Sequence, residues 1–354
     1  VPSPEPNELF SADEIRTAAQ IATESLPAPF VERLRSDFPQ ADGITDRLLA
    51  ATALDLPRGL RLNPLRGELD QTIRELDELG IESTPVGWAP WARVIPRTSS
   101  RAITETEAWR EGRVVLQSLT SMLAVMGLAP RPGERILDLC AAPGGKTALI
   151  AAMVENDAQI IANDRSRTRC MRMRAMIRML GAEAAIRTSP GERIPFRDHG
   201  TFDRVLVDAP CSGEGRFRSD DPGSHEKWSV KGVRRLASVQ KSLLHAAIQA
   251  VRPGGVIVYS TCTLGREENE AILDRALTRY GEGPTGMSLD PLPPELPDGL
   301  ALLDPPLDPS NSSAAPSEIA LRRYGSNPRG APEQAAMEGF FVARLRRRGG
   351  VEAP

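Results

Sequence analysis

From Pro132 onward the chain alternates short apolar runs with loops and helix-patterned stretches, and this alternation limits the available folds more than any other feature. The run at 136–139 is followed by a glycine loop and a helix to Val154. The run at 160–162 precedes an arginine-rich helix, and 184–188 and 205–207 are further short runs. A long helix over 233–251, a run at 255–259 and a helix over 267–280 complete the series. Val205-Leu206-Val207 has no polar face, which suits a parallel strand covered on both sides. Alternation of this length predicts a doubly wound α/β sheet, and 339–345 reads as a last strand returning to it. Residues 281–335, rich in Pro, Ser and Gly without a sustained period, predict an irregular and partly mobile insertion.

Ahead of that domain, 1–54 predicts short helices. Ser11 and Glu14 form a candidate capping box before an Ile15, Ala18, Ile21 stripe; Pro27 and Pro29 interrupt it, and Phe30, Leu34 and Phe38 form a second stripe. Residues 59–63 alternate as a strand, 71–79 reads as a helix, and 81–88 and 92–96 are again extended. Together with a connecting helix read over 113–128, they predict a small α+β, RRM-like module at 55–128, leaving 129–354 as the main domain. Trp88 and Trp91 read as packing groups rather than platforms for bases.

The stretch Phe202–Gly215, FDRVLVDAPCSGEG, carries chemistry. Its strand ends in Asp208, and Pro210, Gly213 and Gly215 then force a loop that holds Cys211. The run at 255–259 repeats the plan and delivers Cys262. Two strands thus each bring a cysteine to the edge where open α/β sheets place ligands. Asp138–Thr147, DLCAAPGGKT, follows the first core strand and opens a helix, with Gly144 and Gly145 allowing close backbone approach. Cys140 stands where a phosphate-binding P-loop needs Gly, and the stretch is not G-x-G-x-x-G, which argues against nucleotide hydrolysis and a nicotinamide cofactor. Asp164, ending the next strand, is placed to hold a ribose hydroxyl pair or to cap the following helix. A nucleoside cofactor without obligatory phosphate recognition fits S-adenosylmethionine better than a dinucleotide.

Composition narrows the setting. Hydrophobic residues make up 40% and charged residues 26%, ordinary for a soluble globular chain, and no apolar run nears the roughly 20 residues of a membrane span. The acidic, Pro-containing first thirty residues do not read as a secretory signal, and Val1 in place of Met suggests a trimmed chain. The four cysteines, Cys140, Cys170, Cys211 and Cys262, include no C-x-x-C pair, which argues against zinc or a disulfide framework and for a reduced, cytoplasmic setting. With three histidines, histidine catalysis has little material. A net charge of −3 weighs against nucleic acid, but arginines crowd 165–187 and a second basic set follows the Cys211 loop. That distribution is either a footprint for a polyanion or a set of solvated helix faces.

LDLCAAPGGKT, then ND, then FDRVLVDAPCSGEG, then YSTCT with EENE at 267–270 resembles the Nol/Nop/Sun family of RNA cytosine-C5 methyltransferases. Flanking stretches at 58–67, 85–97, 114–123 and 338–345 fit its RsmF-like branch, and the similarity leaves out the first ten residues and 281–335. The resemblance implies a class I, Rossmann-like methyltransferase using S-adenosylmethionine, monomeric, without metal or membrane partner. Ribosomal RNA is the favoured substrate and tRNA the second. It implies that Cys262 attacks cytosine carbon 6, that Cys211 helps break the adduct, and that Asp208 binds the base edge. Cys140, Ala141, Ala142, Pro143, Gly144, Gly145 and Lys146, with Asp164, Asp208 and Pro210, would line the cofactor pocket. Lys146 would raise the thiolate fraction of Cys262, and Arg169, Arg216, Lys227 and Arg93 are candidate RNA contacts. Two departures stand out: Thr188-Ser189-Pro190-Gly191 occupies the place of an acid expected after the third strand, and a C-terminal RNA-binding extension is missing. Competing readings are a DNA cytosine methyltransferase, which would use the Pro-Cys thiol as nucleophile, and a non-catalytic RNA-binding assembly factor.

Overall fold

The computed structural model describes residues 9–38, 43–283, 286–296, 321–324 and 335–349. Helix α1 (Ala12–Ser25) starts at the capping box: the Glu14 N–H donates to the Ser11 hydroxyl at 3.3 Å, and the Ser11 N–H donates to the Glu14 carboxylate at 2.7 Å. Its buried stripe is Ile15, Ala18, Ala19 and Ala22, whereas Ile21 is 49% exposed. A 3.6-residue period returns to the same face at steps of three, four and seven, which selects Ala22 over Ile21. Helices α2 (Ala28–Asp37) and α3 (Ile44–Ala53) close a small core around Phe30, Leu34, Phe38 and Leu48. Phe217 and Leu264 of the main domain belong to that same core.

The second unit contains β1 (Arg58–Leu62), α4 (Leu69–Glu78), β2 (Thr84–Val86), β3 (Ala89–Ile95), α5 (Ser100–Glu105), α6 (Glu107–Arg110) and β4 (Val114–Leu116). Its antiparallel sheet runs β2-β3-β1-β4. The helix expected over 113–128 is therefore shorter. Val114 and Val115, β-branched and suited to a pleated surface, pair with β1. The helix, α7 (Leu119–Leu128), begins only after Ser118, whose hydroxyl accepts from the Ser121 N–H at 3.3 Å. Trp88 and Trp91 are partly buried packing groups against the main core, as expected.

The main domain continues with β5 (Arg135–Asp138), α8 (Gly145–Met153), β6 (Gln159–Asp164), α9 (Arg167–Met179), β7 (Ala185–Thr188) and β8 (Phe202–Asp208). It ends with α10 (Val230–Ala250), β9 (Val251–Thr261), α11 (Glu270–Tyr280), β10 (Met287–Leu289), β11 (Leu321–Tyr324) and β12 (Phe340–Arg347). The strand order is β10-β12-β9-β8-β5-β6-β7, with β11 also on β12. Strands β5 to β9 are mutually parallel and β12 is antiparallel, so the sheet is doubly wound as predicted. Ile136, Leu206 and Val258 face one core with α7 and α8; Leu137, Val205, Val207 and Ile257 face the other with α10. The last helix starts at Glu270 rather than 267, because a 3-10 turn over Arg266–Glu268 turns Glu268 inward. Within 281–335, where no period was legible, β10 and β11 add strands to β12; most of the rest lies outside the described residues. Among the described residues no helix is long and apolar enough to cross a membrane.

One close approach ties this frame to the cysteine loops. The Gly215 N–H donates to the Cys262 carbonyl at 3.1 Å, and the Gly339 N–H donates to the Gly215 carbonyl at 3.2 Å. A Cβ on Gly215 would lie 1.9 Å from the Gly339 oxygen, which is backbone and cannot swing aside. Gly215→Ala is expected to lower stability by about 1–3 kcal/mol. Urea denaturation checks this, and an unchanged midpoint would mean that the contact yields freely.

Candidate active site

Strand β5 has β6 on one side and β8 on the other, so the chain reverses its direction of travel across the sheet there. Ligands of open α/β sheets lie at such a point, beyond the carboxyl ends of the strands. Asp138 ends β5, Asp208 ends β8, and Cys262 follows β9.

The two cysteines meet there. Their sulfurs are 3.2 Å apart, both thiols are free, and the Cys262 N–H donates to the Cys211 sulfur at 3.3 Å. Two carboxylates missed in the sequence hold them in place. Glu268 accepts from the Ser212 N–H at 3.0 Å and from Gln240 at 2.8 Å, which also holds the Pro210 carbonyl at 3.0 Å. Glu214 accepts from Thr263 at 2.6 Å, from the Gly265 N–H at 3.0 Å, from Trp228 at 3.1 Å and from Arg33 at 3.1 Å. Both acids lie inside the GEG and EEN stretches already singled out, but their roles depend on burial.

The paired thiols are driven apart. The hydrogen bond from Cys211 holds Cys262 below the ordinary thiol range against its burial, with Arg216 the strongest cation acting on it. The same bond, followed by burial, pushes Cys211 well up. Lys146 acts on Cys262 in the direction expected of it, with an effect that ranks below that of Arg216. Lys146 also bonds Asp208 at 2.7 Å, and the Ser260 hydroxyl donates to the other Asp208 oxygen at 3.0 Å. Burial pushes the Cys140 thiol well up, leaving it a packing and lining group.

A cavity of about 420 Å³ brings together Cys140, Ala142, Pro143, Lys146, Asp164, Asp208, Pro210, Cys211 and Cys262. An adjoining chamber of about 150 Å³ is lined by Ala141 and Gly145, with Gln117, Ser121 and Asp138. Gly144 lines neither cavity; at φ 109° it packs its loop onto Met173, 3.0 Å from where a Cβ would stand. Asp164 accepts from the Ser166 N–H at 2.9 Å, while Ser166 itself caps α9. No acid stands at 188–191, where the Ser189 hydroxyl donates to Asn163 at 2.7 Å; Glu192, the next residue, lines the larger cavity.

The candidate RNA contacts divide. Arg216 lines the larger cavity, and so does Arg169, which is paired with Asp164 at 3.0 Å and is thus part of the pocket wall. Arg93 is held by Ser83 at 3.1 and 2.8 Å within the small module, and Lys227 is exposed beside Glu226 at 3.8 Å. Neither lines these cavities. Arg187, counted in the basic stretch, is turned inward onto Asp198 at 2.8 Å.

Parallel strands with an antiparallel last strand and a nucleoside-sized cavity at the switch point define a Rossmann-like fold of the class I methyltransferases. The family model described as 16S rRNA methyltransferase RsmB/F matches residues 125–346, and the chain belongs to that family. Ribosomal RNA small subunit methyltransferase F of Cronobacter sakazakii is 33% identical over 339 residues, 94% of this chain and 66% of the relative. The protein of the same name from Serratia proteamaculans is 34% identical over 334 residues, 93% of this chain and 65% of the relative. The chain therefore spans just under two thirds of the length of these curated relatives. A methyltransferase homologue from Pyrococcus horikoshii has a TM-score of 0.73 at 27% identity, covering 96% of this chain and 100% of its own. NSun6 from the same organism, solved with SFG, has a TM-score of 0.73 at 21% identity, covering 92% and 99%.

Asp138 supplies a pH test of the site's burial. Desolvation pushes its carboxyl up to about 7, although the Thr147 hydroxyl donates to it at 2.7 Å. A raised folded-state value means that the folded protein holds the proton more tightly than the unfolded chain. This contribution to stability is full below about pH 4 and is lost as pH rises through about 7. Each unit of separation corresponds to roughly 1.4 kcal/mol. Asp138→Asn should flatten that fall in urea midpoints measured from pH 4 to 8. Parallel curves for both proteins would refute it.

Proposed function

We propose that this protein transfers a methyl group from S-adenosylmethionine to carbon 5 of a cytosine in RNA, with small-subunit ribosomal RNA the favoured substrate and tRNA the second. The observation that carries this reading is the Cys211–Cys262 pair, 3.2 Å apart with thiols shifted in opposite directions beside the large cavity. The choice of ribosomal RNA draws support from the printed names of the relatives.

Carbon 5 of cytosine is a weak nucleophile until a group adds to carbon 6, and a thiolate is suited to that addition. Cys262 is the cysteine biased toward thiolate. Once carbon 5 carries the methyl, its proton must leave so that the carbon 6–sulfur bond can break. Cys211, kept protonated by the same hydrogen bond, can pass its own proton to the departing Cys262 sulfur 3.2 Å away and take the carbon-5 proton in exchange. Asp208, fixed by Lys146 and Ser260, offers a carboxylate to the base edge. Such a base must be single-stranded or extruded, at a cost of a few kcal/mol.

S-adenosylmethionine, when bound, supplies an electrophilic methyl on its sulfonium. The residues fit such a group. Asp164 sits at the end of β6 with its carboxylate in the cavity wall, and Glu192 shares that wall. Asp138 Oδ1 and both amide atoms of Gln117 are buried without a partner among the described residues, which leaves polar capacity in the smaller chamber.

Incubated with cellular RNA and S-adenosylmethionine, Cys211→Ala should give a slow, RNase-sensitive band on a denaturing gel. Cys262→Ala should give no band and lose roughly 10³-fold or more of methyl transfer. Absence of the band together with inactive wild-type protein would overturn the reading, and trapping of tRNA alone would move the substrate to tRNA. Asp164→Ala should weaken S-adenosylmethionine binding about 10- to 100-fold by titration calorimetry. Undiminished affinity would remove Asp164 from the pocket.

A further inference from the structure

Arg216 is exposed, yet it stands at the meeting of two cavities. It lines the 420 Å³ cavity with both cysteines and also a neighbouring groove of about 590 Å³. The adjacent Gly215 N–H bonds the Cys262 carbonyl at 3.1 Å, so the arginine is carried on the segment that fixes the Cys262 turn. Among the described residues no carboxylate pairs with its guanidinium, which curls over Gly213 with a nitrogen 3.2 Å from where a Cβ would be.

We propose that Arg216 is a positioning residue whose unpaired charge, added to the hydrogen bond from Cys211, favours the thiolate of Cys262 for attack, with the released proton passing to solvent. This rests on the reading of Cys262 as nucleophile. Among the cations lining the cavity with Cys262, that role falls to Arg216. Lys146 is bound to Asp208 at 2.7 Å, and a joined cation and anion largely cancel at a third group. Glu338 lines the same cavity and acts on the guanidinium from a distance, burial pushing its carboxyl up, and no ion pair joins the two. Cys211 donates to the Cys262 sulfur as a thiol, and Glu268 is engaged with Ser212 and Gln240. An unpaired guanidinium remains charged throughout the working pH range, and a nearby cation raises the thiolate fraction of a cysteine.

The test is site-resolved alkylation of Cys262 by iodoacetamide across pH 5.5–9.5, read by peptide mass, in wild-type, Arg216→Gln and Arg216→Lys proteins. Arg216→Gln should move the midpoint of the rate–pH curve up by about one unit and slow alkylation at pH 7 about tenfold. Arg216→Lys should recover most of that shift. Added salt should raise the wild-type midpoint and leave that of Arg216→Gln nearly unmoved, because the arginine faces solvent. A purely structural role would change rates or melting without moving the midpoint. Coincident wild-type and Arg216→Gln midpoints overturn the proposal and leave the assigned reaction standing. Shifted midpoints in a protein that methylates no RNA would sink the reaction while the electrostatic role of Arg216 holds.

Discussion

Burial of β5, β8 and β9 on both faces is the constraint from which the site follows. Leu137, Val205, Leu206, Val207, Ile257 and Val258 are all fully buried, so the strands tolerate polar chemistry only at their ends. Because the three strands are parallel neighbours, those ends coincide. Asp138, Asp208 and the Cys262 turn are brought together by sheet register, although 124 residues separate Asp138 from Cys262 in the numbering of the chain. Burial at that edge drives Asp138 toward its neutral form, while the hydrogen bond between the two thiols drives them apart.

The cysteine loops leave the sheet and would lose their geometry without an external hold. Two buried acids provide it, Glu268 under the Cys211 loop and Glu214 under the Cys262 turn. Glu214 also links the site to the N-terminal helices through Arg33, and Phe217 and Leu264 pack into the same helical core around Phe30. The N-terminal helices thus support the cysteine loops directly. The small module is joined in a similar way: Arg61 of β1, buried in the interface, donates to the Gly145 carbonyl at 2.9 Å at the start of α8. Chain segments that look like separate units by composition therefore pack directly against the cysteine-bearing edge of the sheet.

Periodicity in the chain determined the doubly wound sheet, the paired cysteines on successive strand ends, the glycine loop and the capped first helix. These depend on local rules: apolar runs of strand length, loop-forming Pro and Gly, and side chains that cap their own helices. Tertiary structure decided the rest. It made a strand of Val114–Leu116 by offering it β1, and it turned Ile21 outward. It placed Glu192 in the cavity wall where a neighbouring serine had drawn attention, and made anchors of Glu214 and Glu268. It also gave the strongest cationic influence on Cys262 to Arg216 rather than Lys146. The physical reason is common to all of these. Charge and polarity act through distance and burial in three dimensions, and no spacing along a chain records which ion already has a partner.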